Sequence, residues 1–221
     1  LDAAQSQAKC SWIRQNQPDV WDATHKYLQV SGFLNLRLTG EYKDAVASQI
    51  GHLPFDYKKQ VWAGSCNLPQ ILFPVDQDKL PVLVRPGERI GTVTRKASEL
   101  TGIPMGVPLI SCGSDKGCET LGAGVTDSSM ISLSFGTTAT VQTTTSQYFE
   151  PIGRMPPYPA PVPGCYNPEV EIFRGFWMIT WFKNEFAHKE MEEAKAKGVP
   201  TEEVLDQCLD RTDPGAMGLM V

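Results

Sequence analysis

The chain has 221 residues, of which 41% are hydrophobic and 20% are charged, and its formal net charge is −5. This composition is typical of a globular protein with one large domain or two small ones, and the acidic balance argues against a nucleic-acid surface. No apolar run approaches the roughly 20 residues of a membrane-spanning helix, and the polar N-terminal residues lack the pattern of a signal peptide. We therefore expect a cytoplasmic protein with neither nucleic-acid nor membrane partners.

The cysteines are scattered along the chain and form no Cys-x-x-Cys pair: Cys10, Cys66, Cys112, Cys118, Cys165 and Cys208. No histidine stands at metal-ligand spacing, so the pattern predicts free, mostly buried thiols in a reducing compartment and no metal site. A catalytic cysteine is disfavoured because none of the three histidines lies near a cysteine in the sequence. Cys112 and Cys118 flank Asp115, and we expect them to pack around it.

The first third of the chain predicts helices separated by turns. Residues 3–16 predict one helix, and Pro18 suits the first turn of a second. The inner face of that second helix is predicted from residues at helical spacing: Val20, Ala23, Thr24, Tyr27 and Leu28. A turn is predicted at residues 39–41. The proline-punctuated residues 52–80 predict a loop with a short helix around residues 57–62.

Strands and helices alternate from residue 91 onward. A strand end at residues 91–94 is followed by a helix that Thr94 caps and Gly102 closes. Residues 107–110 then predict a short buried strand. This strand leads through Gly113-Ser114-Asp115 into a compact helix.

Two glycines, Gly122 and Gly124, are placed to end that compact helix. A second strand is predicted over residues 130–135, and it stops at the turn formed by residues 136–138. A further strand over residues 138–145 alternates hydroxyl residues with Ala and Val. The order of strand, acid, helix, strand and glycine–hydroxyl turn is the most informative part of the sequence.

Asp115 and the turn each have a chemical use. An acid near a helix N-terminus is kept ionised by the helix dipole, and such a carboxylate can accept a hydroxyl proton during phosphoryl transfer. The backbone N–H groups and hydroxyls of Gly136, Thr137 and Thr138 can bind phosphate oxygens. The alternatives are that Asp115 is only a helix N-cap and that the turn only closes a hairpin.

A proline-rich segment marks a change in composition between residues 150 and 168. We expect the chain to cross there from a first domain, residues 1–149, to a second, residues 150–221. Beyond this segment, residues 170–173 predict a strand. A helical stretch that ends near residues 197–198 is predicted next, and a short helix over residues 202–209 follows it. We expect the aromatic residues of the helical stretch to form core rather than to stack on a sugar or a base: Trp177, Trp181 and Phe182.

The residues around Asp115 resemble the FGGY family of carbohydrate kinases, which includes xylulose, ribulose, gluconate and glycerol kinases. The resemblance is carried by Gly113-Ser114-Asp115, by residues 121–125 and by residues 133–138. It implies an α/β fold of the ribonuclease-H-like type, shared with actin, hexokinase and Hsp70, and two domains. It also implies that Asp115 is the general base, that Gly136, Thr137 and Thr138 form the second phosphate-binding loop, and that ATP with Mg²⁺ phosphorylates a sugar or polyol.

Two positions depart from the family pattern. Residues 38–41 followed by Asp44 resemble a family segment, but the chain has Val46 where the family has serine, so we treat this loop as structural. Lys116 stands where several family members have an amide. Lys116 could contact a phosphate or an acidic sugar, but a solvent-exposed helix residue is the favoured interpretation because lysine is seldom buried.

The resemblance covers nearly the whole chain, yet the chain corresponds only to the middle of a family member. The first phosphate-binding loop and the late adenosine motif of the family are not found in it. We therefore expect an incomplete ribonuclease-H-like fold with the start of a second domain. Alone it would be inactive, and its exposed apolar surface would favour self-association as a homo-oligomer.

The function that the sequence predicts is that of an ATP-dependent carbohydrate kinase, of which this chain is a fragment. The alternative is a non-catalytic ribonuclease-H-like scaffold that binds a nucleotide or a partner. A hydrolase that uses Asp115 with a water is less favoured, because no second carboxylate or metal cluster accompanies it. The sequence does not name the sugar.

Overall fold

The computed structural model describes residues 8–153 and 155–219. Its helices are α1 Lys9–Asn16, α2 Pro18–Ala23, α3 Val30–Thr39, α4 Leu68–Leu72, α5 Arg95–Thr101, α6 Asp115–Gly122, α7 Trp177–Phe186, α8 His188–Lys197 and α9 Thr201–Leu209. Its strands are β1 Lys43–Ala45, β2 Phe55–Asp56, β3 Val61–Trp62, β4 Val82–Val84, β5 Arg89–Thr92, β6 Pro108–Ile110, β7 Ser132–Phe135, β8 Ala139–Gln142, β9 Tyr158–Pro159, β10 Tyr166–Asn167 and β11 Glu169–Ile172. Short 3₁₀ helices lie at Gln77–Lys79 and Ala216–Gly218. The start of the helix predicted over residues 3–16 lies outside the described residues.

The chain divides into two compact units. The first unit consists of the described residues up to 133 and those between 141 and 170. The second unit consists of residues 134–140 and the described residues from 171 onward. The kinase-domain boundary predicted between residues 149 and 150 stays a prediction, because compactness alone does not identify a kinase domain. Across the described ranges, no helix combines the length and apolar character that a membrane span requires.

The core of the first unit is built around two buried clusters. One contains Ala8, Cys10, Trp21, Val75 and Leu80. The other contains Val46, Leu53 and Phe55. Tyr27 and Trp62 pack against both clusters and so join them.

Helix α2 ends earlier than its apolar spacing predicts. It stops at Ala23, so Thr24, Tyr27 and Leu28 lie beyond it and that part of the prediction is wrong. Lys79 explains the difference, because its Nζ donates to the carbonyl oxygens of Trp21 and Thr24 at 3.0 and 2.6 Å. A lysine at the last carbonyls of a helix satisfies its C-terminus, and the Tyr27 amide then donates to the Lys79 carbonyl at 2.7 Å.

The short helix predicted around residues 57–62 is also wrong, because the chain forms a hairpin there. Strands β2 and β3 pair antiparallel with Phe55 opposite Trp62. Gln60 in the turn has a φ of 57°, which a right-handed helix cannot accommodate. The hairpin places Phe55, fully buried, in the core of the first unit, so tertiary burial outweighs the local preference.

Strand pairing positions the segment that precedes α6. Strand β1 runs parallel to β4, and β5 runs antiparallel to β6. Just beyond β1, Ala47 forms a parallel bridge with Gly113. The predicted strand over residues 107–110 is confirmed as β6, but its predicted burial is wrong, since Ile110 is 48% exposed. The reason is that β6 belongs to a two-stranded sheet, which covers little of its surface.

Several local predictions are confirmed. The Thr94 hydroxyl accepts a hydrogen bond from the Ala97 amide at 3.2 Å at the start of α5, and Gly102 ends that helix with a φ of 77°. Strands β7 and β8 flank residues 136–138, and β11 and β8 neighbour each other in a sheet of order β11–β8–β7. Helix α9 begins at Thr201 and ends at Leu209.

In the second unit, the helical stretch predicted to end near residues 197–198 is divided at Ala187, whose φ and ψ are −109° and 32°. Gly198 ends its second half, α8, with a φ of 69°. The prediction that the aromatic residues of α7 form core is wrong, because the side chains of Trp177 and Trp181 are 42% and 41% exposed. The described part of this unit buries no residue of α7.

Candidate functional site

Ser114, and not Asp115, caps helix α6. The Ser114 hydroxyl accepts a hydrogen bond from the Gly117 amide at 3.1 Å, and Asp115 is the first residue of the helix. The Asp115 side chain is exposed, and its Oδ1 accepts from the Lys116 amide at 2.8 Å. Its negative charge is therefore placed at the positive end of the helix dipole without serving as the cap.

Two glycines allow a proline to pack closely on this end of α6. A Cβ added at Gly113 would lie 2.5 Å from Cγ of Pro161, and one added at Gly117 would lie 2.9 Å from its Cδ. Both distances are shorter than side-chain atoms tolerate, so the sequence needs glycine at these positions. The proline-rich segment thus contacts the site predicted at Asp115.

The loop after β1 holds the residue before Asp115. The Ser114 amide donates to the Ala47 carbonyl at 3.0 Å. At the base of this loop lies Asp44, which is completely buried. Its carboxylate accepts hydrogen bonds from the side chains of Ser31, Asn35 and Gln49 at 2.9, 3.1 and 2.9 Å. The loop of Asp44 and Val46, interpreted from the sequence as structural, therefore orients the N-terminus of α6.

Lys116 makes an ion pair with Glu119 on the same helix, with 2.9 Å between Nζ and Oε2. The interpretation favoured from the sequence is a solvent-exposed residue, but the side chain is only 30% exposed. The i,i+3 spacing of the pair is typical of neighbouring side chains on one helix face.

The two cysteines that flank Asp115 lie beside each other, with 3.4 Å between their sulfur atoms. Cys112 is exposed and Cys118 is half-buried. Burial and the neighbouring Cys112 raise the pKa of the Cys118 thiol above its ordinary value. The six cysteines are free as predicted, but the prediction of mostly buried thiols is wrong, because only Cys10 is buried.

The turn at residues 136–138 lies in the second unit and is held through its carbonyl oxygens. The Gly175 amide and the Trp177 Nε1 donate to the Thr137 carbonyl at 2.8 and 3.0 Å. The Phe176 amide donates to the Gly136 carbonyl at 3.0 Å. Gly136 and Thr137 are exposed.

Gly175 is a residue that sequence reasoning missed. A Cβ added there would lie 2.1 Å from the Gly136 carbonyl oxygen and 2.8 Å from that of Thr138. Gly175 stands two residues before α7, and no local pattern in the sequence indicates its contact with the turn. The close backbone approach of Gly175 is what fixes the turn.

An open cavity of about 370 Å³ adjoins the same segment of the second unit and is lined by Arg174, Trp177, Met178 and Trp181. The Arg174 guanidinium carbon lies 4.8 Å from the centre of the Trp177 ring, a cation–π arrangement. Sequence reasoning considered these aromatic residues but not Arg174.

The structure thus joins Asp115 and Lys116 on one helix of the first unit, while Gly136, Thr137 and Thr138 belong to the second. The contacts described above for each of these two groups of residues lie within its own unit. Within the described residues, no group of three or more His, Cys, Asp or Glu side chains is arranged to hold a metal ion.

Comparison with known proteins identifies the family. Residues 1–122 match the model for the N-terminal domain of the FGGY family of carbohydrate kinases. The chain belongs to the FGGY family. This FGGY chain is 29% identical over 191 residues to the uncharacterized sugar kinase YgcE of Escherichia coli, covering 86% of the chain and 39% of that relative.

Other relatives agree with this assignment. The xylulose kinase of Lactococcus lactis is 26% identical over 213 residues, covering 96% of the FGGY chain and 40% of the relative. The crystal structure of xylulose kinase from Rhodospirillum rubrum matches with a TM-score of 0.80 at 22% identity, over 96% of this chain and 41% of that one. The FGGY chain therefore has the mixed helix and strand fold of these kinases and spans about two-fifths of their length.

Proposed function

We propose that the chain is part of an ATP-dependent carbohydrate kinase and that Asp115 is its general base. The observation that carries this proposal is the division of roles at the start of α6. Ser114 supplies the cap, and the exposed carboxylate of Asp115 is presented at the first helical position. A carboxylate so placed can accept the proton of a sugar or polyol hydroxyl as that oxygen attacks the terminal phosphate.

We propose further that Gly136, Thr137 and Thr138 bind the phosphates of ATP. The carbonyl oxygens of Gly136 and Thr137 accept hydrogen bonds from residues 175–177, so the acceptors of the turn are directed into the protein. The Gly136 amide itself donates to the Thr138 carbonyl at 2.9 Å, so the donors proposed for a phosphate are the amides and hydroxyls of Thr137 and Thr138. The donor set fits an anion, and the fixed backbone means that little reorganisation is needed on binding.

Mg²⁺ belongs to the same proposal as the partner of ATP. Mg²⁺ in such sites is held largely by phosphate oxygens and water, with one or two carboxylates. The ion supplies charge neutralisation when bound, while the chain positions the hydroxyl and the phosphates.

Lys116 is proposed as a substrate-side residue of the same helix. Its ammonium group is paired with Glu119 at 2.9 Å, and a paired ammonium can still exchange partners when a substrate anion approaches. With 30% of its side chain exposed, Lys116 is within reach of a substrate that contacts Asp115. An alternative role, as a helix-face residue alone, predicts no change in substrate affinity when Lys116 is replaced.

The assignment of the fold to the ribonuclease-H-like type, with kinase domains at residues 1–149 and 150–221, is part of this proposal. The similarity to the xylulose kinase structure supports the type of fold, with a TM-score of 0.80. A cytoplasmic location is supported by six free cysteines, which suit a reducing compartment.

The test uses the whole kinase, a polypeptide of the relatives' length that carries these residues. Sugar-dependent release of ADP is measured over a panel of pentuloses, hexoses, sugar acids and polyols. Turnover with at least one acceptor is the expected result. ATP binding without turnover for any acceptor would contradict the proposal and would favour the non-catalytic scaffold.

A further inference from the structure

Cys112 and Cys118 stand on opposite sides of Asp115 in the chain, and the fold brings their thiols into contact. Their sulfur atoms are 3.4 Å apart. Cys112 lies between β6 and the Ser114 cap, and Cys118 lies in the first turns of α6. A disulfide needs a sulfur separation of about 2.05 Å, so the two sulfurs must approach each other further for a bond to form.

We propose that Cys112 and Cys118 form a peroxide-oxidisable dithiol site, which closes a reversible disulfide around Asp115. The backbone at both ends of this pair is fixed independently of the sulfurs. Gly113 forms a bridge with Ala47, and the Ser114 hydroxyl accepts from the Gly117 amide. The contact is therefore a property of the folded first unit.

The two thiols differ in their access to solvent, and this difference assigns their roles. Cys112 is exposed, so it is the sulfur that a peroxide reaches first. Cys118 is half-buried, and burial beside Cys112 raises the pKa of its thiol. We assign Cys118 as the thiol that resolves the oxidised Cys112.

The oxidation balances without any further reagent. The Cys112 thiolate attacks one oxygen of hydrogen peroxide, the O–O bond breaks, and a sulfenic acid and hydroxide result. The Cys118 sulfur then attacks the Cys112 sulfur, so that the S–S bond forms and the S–O bond breaks. The hydroxide that leaves takes the thiol proton as water. In total, two thiols lose two electrons and two protons, and one peroxide becomes two waters.

Other cysteines have different neighbours and serve as internal comparisons. The buried Cys10 sulfur faces the carbonyl oxygen of His52 at 4.0 Å. The exposed Cys66 sulfur lies 3.9 Å from the Ser65 hydroxyl. Peroxide can oxidise an exposed thiol such as Cys66 to a sulfenic acid, but the contacts of these two residues do not supply a resolving thiol.

The seven-residue ring from Cys112 to Cys118 encloses Gly113, Ser114 and Asp115. Oxidation would restrict the segment that carries Asp115. Only the description of Asp115 as a base rests on the proposed function, and the disulfide itself can be measured without any turnover.

Peptide mapping of the chain tests the proposal, because Lys116 lies between the two cysteines. Trypsin divides the reduced chain into residues 97–116, which contain Cys112, and residues 117–154, which contain Cys118. After treatment of the folded chain with one equivalent of hydrogen peroxide and blocking of the remaining thiols, we expect these two peptides to be joined. The joined pair should separate on reduction, and the number of titratable thiols should fall from six to four.

Three variants and one condition make the outcome decisive. Cys118→Ser should abolish the joined peptide and leave Cys112 as a sulfenic acid that dimedone traps, while Cys66→Ser should leave the joined peptide unchanged. Cys112→Ser should abolish both products at this pair. The wild-type chain is also treated with peroxide in urea, a comparison that does not depend on the folding of any variant. The joined peptide should form more slowly in urea than in the folded chain. An equal rate in urea, or cross-links spread over all six cysteines, would overturn the proposal.

Discussion

The backbone amide of Ser114 donates a hydrogen bond of 3.0 Å to the carbonyl oxygen of Ala47. This bond links the residue before the proposed base to a loop that begins near the buried Asp44. The side-chain Nε2 of Gln49 donates both to the Asp44 carboxylate at 2.9 Å and to the Ala45 carbonyl at 3.0 Å. The buried carboxylate therefore sets the shape of the loop, and the loop sets the position of Ser114.

Replacing Asp44 by asparagine should destabilise the first unit. Asparagine presents an amide nitrogen where Asp44 now accepts from Ser31, Asn35 and Gln49, and a lost hydrogen bond to a charged group costs about 1.5 to 3 kcal/mol. Urea unfolding of the chain, followed by circular dichroism, should show a lower free energy of unfolding by about 2 kcal/mol or more. The exposed Asp22→Asn is the control and should change little. Equal stability of the two variants would show that the Asp44 network is dispensable.

Replacing Asp115 by asparagine should remove most of the turnover of the whole kinase while ATP binding stays near normal. The amide keeps the shape of the side chain but cannot take the proton, and a positioned base commonly contributes about 10² to 10⁴ in rate. Steady-state ADP release gives the rate, and calorimetry gives the affinity. The exposed Asp127→Asn is the control. Turnover within a few-fold of wild type in Asp115→Asn would remove this residue from the mechanism.

Replacing Gly113 by alanine should disturb the packing of Pro161 on α6. The new Cβ would lie 2.5 Å from Pro161 Cγ, and relief of such overpacking typically costs about 1 to 3 kcal/mol. The chemical midpoint of unfolding of the chain should fall accordingly. Gly122→Ala is the control, because nothing lies within 4 Å of its Cβ position and alanine is the better helix former. If both alanine variants unfolded at the same midpoint, the close contact would not constrain the fold.

These contacts show which features of the fold and of the proposed site could be predicted from the sequence. Features set by neighbouring residues were predictable, such as the Thr94 cap, the αL residue Gly102 and the turn between β7 and β8. The two contacts that fix the site were not, because they join distant residues: Gly113 with Pro161, and Gly175 with the Gly136 carbonyl. No local spacing encodes which proline or which glycine will approach. The same limit explains α2, whose end is set by Lys79 from far along the chain.

Replacing Thr137 by valine should weaken ATP binding more than sugar binding in the whole kinase. The change removes a hydroxyl from the exposed side of the turn and nearly preserves the volume. A hydrogen bond to a charged group contributes about 1.5 to 3 kcal/mol, or roughly tenfold to a hundredfold in affinity. Calorimetry with ATP and with the acceptor sugar separates the two effects, and the exposed Thr126→Val provides the comparison. Unchanged ATP affinity and rate would reduce residues 136–138 to a hairpin turn.

Replacing Gly175 by alanine should displace the same turn, residues 136–138, through its carbonyl oxygens. The Cβ would lie 2.1 Å from the Gly136 carbonyl oxygen and 2.8 Å from the Thr138 carbonyl oxygen, and neither backbone atom can move aside as a flexible side chain would. The turn must shift, so the bonds from the Gly175 and Phe176 amides should lengthen or break. We expect ATP affinity to fall by about tenfold or more, which corresponds to about 1.4 kcal/mol, with sugar affinity retained. Circular dichroism should show the fold intact, as in Gly122→Ala. ATP affinity equal to that of wild type would mean that the proposed phosphate-binding turn does not depend on its anchor, and that the nucleotide is held elsewhere.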